Sequence, residues 1–308
     1  EGLIQLEDMV ELSKQREEEG GKGGGKKTLA WELVATDEIC KELKKTRHDL
    51  YKSFLVWSTT DSMNDVQCEN GIGGKNGHSI KINVSKAHRR LEMYALWMRD
   101  HAYPYLSTGP KPFSPKHFQS AFKAFKFQFA IDSCERLVWY FDVERSDLNT
   151  ILTSLPHTET LLFLTYLAHQ ISFNTQGQDN GFIFAEDMGR IGFNTFMQML
   201  PFNIGLTIDK FMIGVLPLKA KAVVFVHRPM WFDVAYKMLG VFLTRQMKSR
   251  VILVNAMTTK GIGNDDERES LLKALGEIVG EENIPSGFSG LDAHGDSSID
   301  ILRITKVK

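Results

Sequence analysis

Apolar residues recur at helical spacing through the first third of the chain and gather into short strand-like runs after it. From Leu29 the pattern is helical, with Trp31, Leu33, Val34, Ile39 and Leu43, then Leu50, Phe54 and Leu55. Ala87, Leu91, Tyr94, Ala95 and Met98 stand at i, i+3, i+4 spacing and predict a helix over 85–101. Pro104, Pro110, Pro112 and Pro115 end that region. Apolar runs follow at Leu137–Val143, Phe182–Ala185, Ala222–Val226 and Val251–Val254. Helical patterns separate them, at Leu148–Ile171, from Phe193 through Leu200 onward, and at Trp231–Leu243. Strands spaced by helices need crossover connections, so the sheet is expected to be largely parallel.

Three segments follow from this. Residues 1–28 are a charged, then glycine-rich segment expected to be flexible, in which Leu3–Glu19 is weakly helical and Gly20–Lys27 is a linker. Residues 29–125 form a helical N-terminal module with an inserted loop near 61–80, where Asn70–His78 is rich in glycine. Residues 126–308 form an α/β domain.

Composition narrows the function classes. The 308 residues carry 37 Lys+Arg against 38 Asp+Glu, and 43% are hydrophobic. That balance argues against nucleic acid as the main partner. Cys40, Cys68 and Cys134 are far apart, show no metal-ligand spacing, and favour a reducing compartment. No signal peptide is visible at Glu1-Gly2-Leu3, and the missing initiator Met points to a fragment. No apolar run approaches the ~20 residues of a membrane span; the best, Phe211 to Val226, is cut by Pro217, Lys219 and Lys221.

Enzyme motifs fail one by one. Gly20–Thr28 resembles a phosphate loop, yet Lys27 stands where a hydroxyl is needed on magnesium, and no strand precedes it. Ser289 in Gly287–Leu291 lacks the second glycine of a nucleophile elbow. Asp292, His294 and Asp296 could hold a metal, but a solvated loop explains them as well. No nucleophile with its base, no cofactor site and no metal site is nominated, so a non-enzymatic protein is expected.

The segment Leu216–Val254 resembles the CRAL-TRIO (Sec14-like) lipid-binding domain. That family reads P-x-K-x, an apolar strand, x-x-P, an amphipathic helix ending in F-L, a basic stretch and a strand. Pro217, Lys219, Pro229, Trp231, Phe232, Phe242, Leu243, Lys248 and Arg250 occupy those places. Ile284–Gly290 resembles the family's L-P-x-x-[YF]-G-G ending, with Ser289 where glycine is usual. Phe182–Gly189 resembles the strand ending in D-[LM]-x-G, and Ile82–Trp97 the N-terminal helical module. The resemblance implies a mostly parallel sheet flanked by helices, enclosing a lipid cavity under a helical lid.

The helix from Trp231 would be that lid, and burying one of its aromatics is worth ~2–3 kcal/mol. The family's phosphatidylinositol site uses a Glu and a Lys where this chain has Leu218 and Gly240. Its phosphatidylcholine site uses small hydroxyl residues where Phe182 and Phe184 stand. A more hydrophobic guest is therefore implied, in a pocket lined by Phe182, Phe184, Ile208, Phe211, Met212, Leu216, Trp231, Phe232, Leu239 and Phe242. Glu186 either meets the polar end of that guest or is turned out by a bulge. Pro217-Leu218-Lys219-Ala220-Lys221 is similar to the tocopherol-transfer and retinaldehyde-binding branch. The likeness implies a phosphoinositide grip by Lys219, Lys221, Lys248 and Arg250.

The expected protein is a cytoplasmic, peripherally membrane-associated monomer that carries one hydrophobic lipid and docks on anionic membrane. A second reading keeps the fold and makes it an adaptor with a pocket closed by its own side chains.

Overall fold

The computed structural model describes residues 1–20, 31, 45–59, 82–102, 115–189, 191–239, 245–254 and 265–291. The glycine-rich run from residue 21, the insertion at 61–80 and the Asp292–Asp296 loop lie outside them.

Three helices make the N-terminal module: α1 (Gly2–Gly20), α2 (Arg47–Trp57) and α3 (Val84–Trp97). Thr46 caps α2 in a reciprocal box with Asp49, each side chain accepting from the other's backbone N–H at 3.1 Å. Asn83 caps α3, its side chain accepting from the Lys86 amide at 2.9 Å. Leu50, Phe54, Leu91 and Tyr94 fill the centre of the module, and Leu6 and Val10 of α1 join them. The weakly helical stretch Leu3–Glu19 lies within this helix. The apolar stripe of α1 is narrow, but it is buried against α2 and α3.

A short helix, α4 (Gln119–Phe125), leads into strand β1 (Gln128–Ile131), which pairs antiparallel with β2 (Leu137–Asp142). Asp132 builds the intervening turn, accepting from the Cys134 and Arg136 amides and pairing with the Arg136 guanidinium at 2.6 Å. Cys134 in this turn is disulfide-bonded, a bond that the spacing of the cysteines did not suggest.

The chain then runs through α5 (Leu148–Ser154), α6 (His157–Ser172) and α7 (Thr175–Asp179) to β3 (Phe182–Asp187). Pro156 splits the single helix expected over 148–171, because proline supplies no amide to the preceding turn. Next come α8 (Phe193–Met199), α9 (Phe202–Asp209) and a π turn (Lys210–Val215). Strand β4 (Ala220–Val226), helix α10 (Met230–Leu239), the short α11 (Arg245–Lys248), strand β5 (Val251–Leu253) and α12 (Asp265–Val279) complete the order.

The sheet order is β1-β2-β3-β4-β5, parallel throughout except for β1. This is the mixed α/β class the sequence predicts. All six residues of β2 are buried, as suits a strand covered on both faces. One face turns Val138, Tyr140, Ile183, Ala185 and Val224 toward Leu271, Leu275 and Phe288. The other turns Trp139, Phe141, Phe182 and Phe184 toward the remaining helices and the N-terminal module. Gly181 opens β3 at φ +90°, where an added Cβ would stand 2.6 Å from the Lys219 carbonyl oxygen. Among the described residues no helix is long and apolar enough to cross a membrane.

Candidate functional site

The face of β3 that carries Phe182, Phe184 and Glu186 looks toward α8, α9, the π turn and α10. Phe184 meets Trp139 of β2 edge-on at 5.1 Å and keeps accessible surface. On β4, Phe225 is likewise half-buried and touches Phe232 of α10 at 4.7 Å. Trp231, one residue earlier, sits between Phe193 (5.5 Å) and Phe196 (5.1 Å) of α8, and its indole N–H donates to the Ile191 carbonyl at 2.9 Å. Helix α10 thus lies over β4 and is pinned to the start of α8. Met230 and Val234 on it remain 82% and 61% exposed.

Several side chains expected to line the pocket are spent on packing. Phe211 is fully buried, stacked on Trp97 at 3.8 Å and beside His169 at 5.0 Å. Leu216 is also fully buried, and Phe182 and Ile208 are buried too. Phe211 and Leu216 therefore present no accessible surface here. Phe184, Met212, Trp231 and Phe232 keep partial exposure. The Leu239 side chain and Phe242 lie outside the described residues.

Two carboxyls stand on this side of the sheet. Glu186 is aligned with Phe141 of β2 and Phe225 of β4. Asp209 ends α9. By accessible surface Glu186 is half-buried and Asp209 is exposed. Burial, then Asp209 and Asp187, push the Glu186 carboxyl up to about 8. Burial alone pushes Asp209 up to about 6. The bulge alternative for Glu186 is not what the structure shows, since the register is regular from Ile183 to Asp187. Asp209 went unread in the sequence, although it is the only acidic residue between Phe193 and Leu218.

The basic residues converge at the opposite edge, where β4 and β5 begin. The Val223 amide donates to the Arg250 carbonyl at 2.9 Å, and Val223 is aligned with Val251. That register sets Lys221 and Arg250 on neighbouring strands, with Lys219 just before β4 and Lys248 at the end of α11. Lys248 is exposed; Lys219 is half-buried, 3.4 Å from the Thr59 hydroxyl. Burial lowers the Arg250 pKa from its ordinary value.

A third cluster, at the C-terminal ends of the strands, escaped sequence reading. Asp142 and Asp187 are aligned on β2 and β3, and both are buried. Asp142 accepts from the Ser289 amide at 3.0 Å, and Asp187 pairs with His227 at 2.9 Å. On the far face of the sheet, a cavity of about 340 Å³ lies between β5 and α12, lined by Ile252, Val254, Leu271 and Ala274 among others. It is separate from the Phe184–Glu186 face. Among the described residues there is no cluster suited to a metal ion.

Residues 122–276 match the CRAL/TRIO domain family. A solved structure titled "Crystal structure of Sfh5" is 12% identical, over 70% of this chain and 68% of that one, with a TM-score of 0.42. No curated protein matches the chain.

Proposed function

The chain belongs to the CRAL/TRIO domain family of lipid-binding proteins, and we propose that it holds one hydrophobic ligand between the sheet and helix α10. The observation that carries this is the set of half-buried aromatics, Phe184, Phe225, Trp231 and Phe232, that keep accessible surface on neighbouring elements. Such surface is unfavourable in water at ~25 cal/mol per Å² and is satisfied by an apolar guest. Leu218 is buried in the fold, where the family's phosphatidylinositol site has a Glu. Helix α10 is the lid in this reading, with Met230 and Val234 turned outward toward a membrane.

Docking is assigned to Lys219, Lys221, Lys248 and Arg250. The register of β4 against β5 supports it, as does the likeness of Pro217–Lys221 to the tocopherol-transfer branch. Each such cation near an anionic surface contributes ~1 kcal/mol. Native mass spectrometry of the purified protein should show a bound or exchangeable lipid; a protein that neither carries nor takes up lipid would remove the reading. Replacing Lys219 and Lys221 by Ala should weaken sedimentation with phosphoinositide vesicles about tenfold, and unchanged binding would remove the docking assignment alone. The adaptor reading is favoured by one observation, the complete burial of Phe211 and Leu216. It predicts no lipid uptake.

A further inference from the structure

We propose that the segment Ile299–Val307 of this same chain adds to the open edge of β5 as a sixth strand and covers the cavity between β5 and α12.

The edge is open in its backbone. Strand β5 stands last in the sheet and pairs only with β4 among the described residues. The Val223 amide donates to the Arg250 carbonyl, and the Val254 amide donates to the Phe225 carbonyl. Positions 250, 252 and 254 therefore turn their backbone groups to β4. Val251 and Leu253 turn theirs the other way, where no N–H or C=O of the described residues meets them. Such a row of unpaired groups is a template for another strand.

The apolar surface beside the edge is also incomplete. Ile252, Val254 and Ile278 are half-buried around the cavity of about 340 Å³. Of the side chains lining it, Glu277 alone is charged. A fitting occupant is strand-forming, apolar and basic.

Ile299–Val307 has that composition. Ile299, Ile301, Leu302, Ile304 and Val307 are apolar, and all but Leu302 are β-branched. No glycine or proline interrupts them. Arg303 and Lys306 outnumber Asp300 and complement Glu277.

The segment also starts within reach. The Ser289 amide donates to Asp142 at the end of β2, and Leu291 is buried in the same apolar cluster as α12. From β2 to the far side of β5 is four strand spacings, about 19 Å. The seven residues 292–298 span up to ~23 Å. Asp142 is level with Asp187 and Val226, one step past the Phe225–Leu253 pair. The chain thus arrives at the C-terminal end of β5 and runs antiparallel to it, which needs no crossover.

The test is hydrogen–deuterium exchange of the full chain, read by NMR at single amides in wild type and in I301P/I304P. The Val251 and Leu253 amides and those of 299–307 should exchange at least roughly tenfold slower than unstructured chain in the wild type. In I301P/I304P the Val251 and Leu253 amides should lose that protection, while Val254, bonded to β4, keeps its own. Exchange of 299–307 at the rate of unstructured chain in the wild type overturns the pairing, whatever the variant does. Protection of Val251 and Leu253 that survives in the variant overturns it as well. Protection in the wild type that falls on dilution, with a dimer in light scattering, would put a second copy at the edge and overturn the assignment to the chain's own segment.

Discussion

The His227 imidazole donates from Nδ1 to the Asp187 carboxylate 2.9 Å away, from a backbone held in the left-handed region at φ 42°. The bond joins the end of β4 to the end of β3, just before helix α10 begins. It raises the His227 pKa from its ordinary value, first through the bond itself and then through the charges of Asp187, Glu144 and Asp142, against the opposing effect of burial.

A raised histidine pKa means the folded state binds the proton more tightly than the unfolded chain. The contribution is whole below pH 6.5 and is lost as pH rises through the higher folded value. Glu186 acts in the same sense. Its folded pKa of about 8 means that the carboxyl must ionise in an unfavourable place, so stability falls between about pH 4.5 and 8. The urea midpoint should therefore drop from pH 6 to pH 8.5. His227→Asn should remove ~1–2 kcal/mol at pH 6 and flatten part of the drop, and Glu186→Gln should flatten a separate part. A midpoint independent of pH over this range would contradict both assignments.

Arg90 ties the N-terminal module to the π turn. Its guanidinium donates to the Leu216 carbonyl at 2.8 Å and 3.2 Å, reaches the Ile213 carbonyl as well, and lies 4.3 Å over the Trp57 ring. Arg90→Ala leaves those carbonyls without this donor and should lower unfolding free energy by ~2–4 kcal/mol. Arg90→Lys keeps a cation over Trp57 but loses the fork, so its loss should be intermediate. Equal stability of the three proteins in chemical denaturation would show that the contact contributes little.

Two backbone positions predict opposite signs. Ser289 adopts φ 54°, a left-handed conformation, and its buried hydroxyl has no hydrogen-bond partner among the described residues. Ser289→Gly removes both penalties and should stabilise by about 1–2 kcal/mol. Gly189 has φ +52°, and an added Cβ would stand 2.5 Å from Cγ of Glu144. Gly189→Ala should destabilise by ~1–3 kcal/mol, whereas Gly214→Ala meets nothing within 4 Å and should be near neutral. Thermal denaturation of the three variants checks the order.

Four of the five strands were legible because each is a run of β-branched and aromatic residues. Strand β1 was not, since its four residues follow a helix directly and show only the brief alternation Phe127, Phe129, Ile131. Helix α1 was legible only as a weakly helical stretch, because its buried residues are few, Leu6 and Val10, among charged neighbours. The site was legible on one wall only. Period-two reading of β3 placed Phe184 and Glu186 together, but spacing could not reveal that Phe211 would be claimed by Trp97 and His169, residues distant in the chain.

Trp231 supplies the most direct probe of the lid. Its N–H bond to the Ile191 carbonyl and its contacts with Phe193 and Phe196 are what hold α10 to α8 on this side. Trp231→Phe keeps much of the ring packing and loses the hydrogen bond, worth ~0.5–1.5 kcal/mol. If α10 must lift for a ligand to leave, that loss lowers the barrier and should speed release of a bound fluorescent lipid by roughly three- to tenfold. Trp231→Ala removes the aromatic contacts as well and should release faster still. Both variants should keep the overall unfolding transition, because α10 carries outward-facing Met230 and Val234 and lies at the margin of the core. Release rates unchanged in both would mean that ligand exchange does not pass beneath α10.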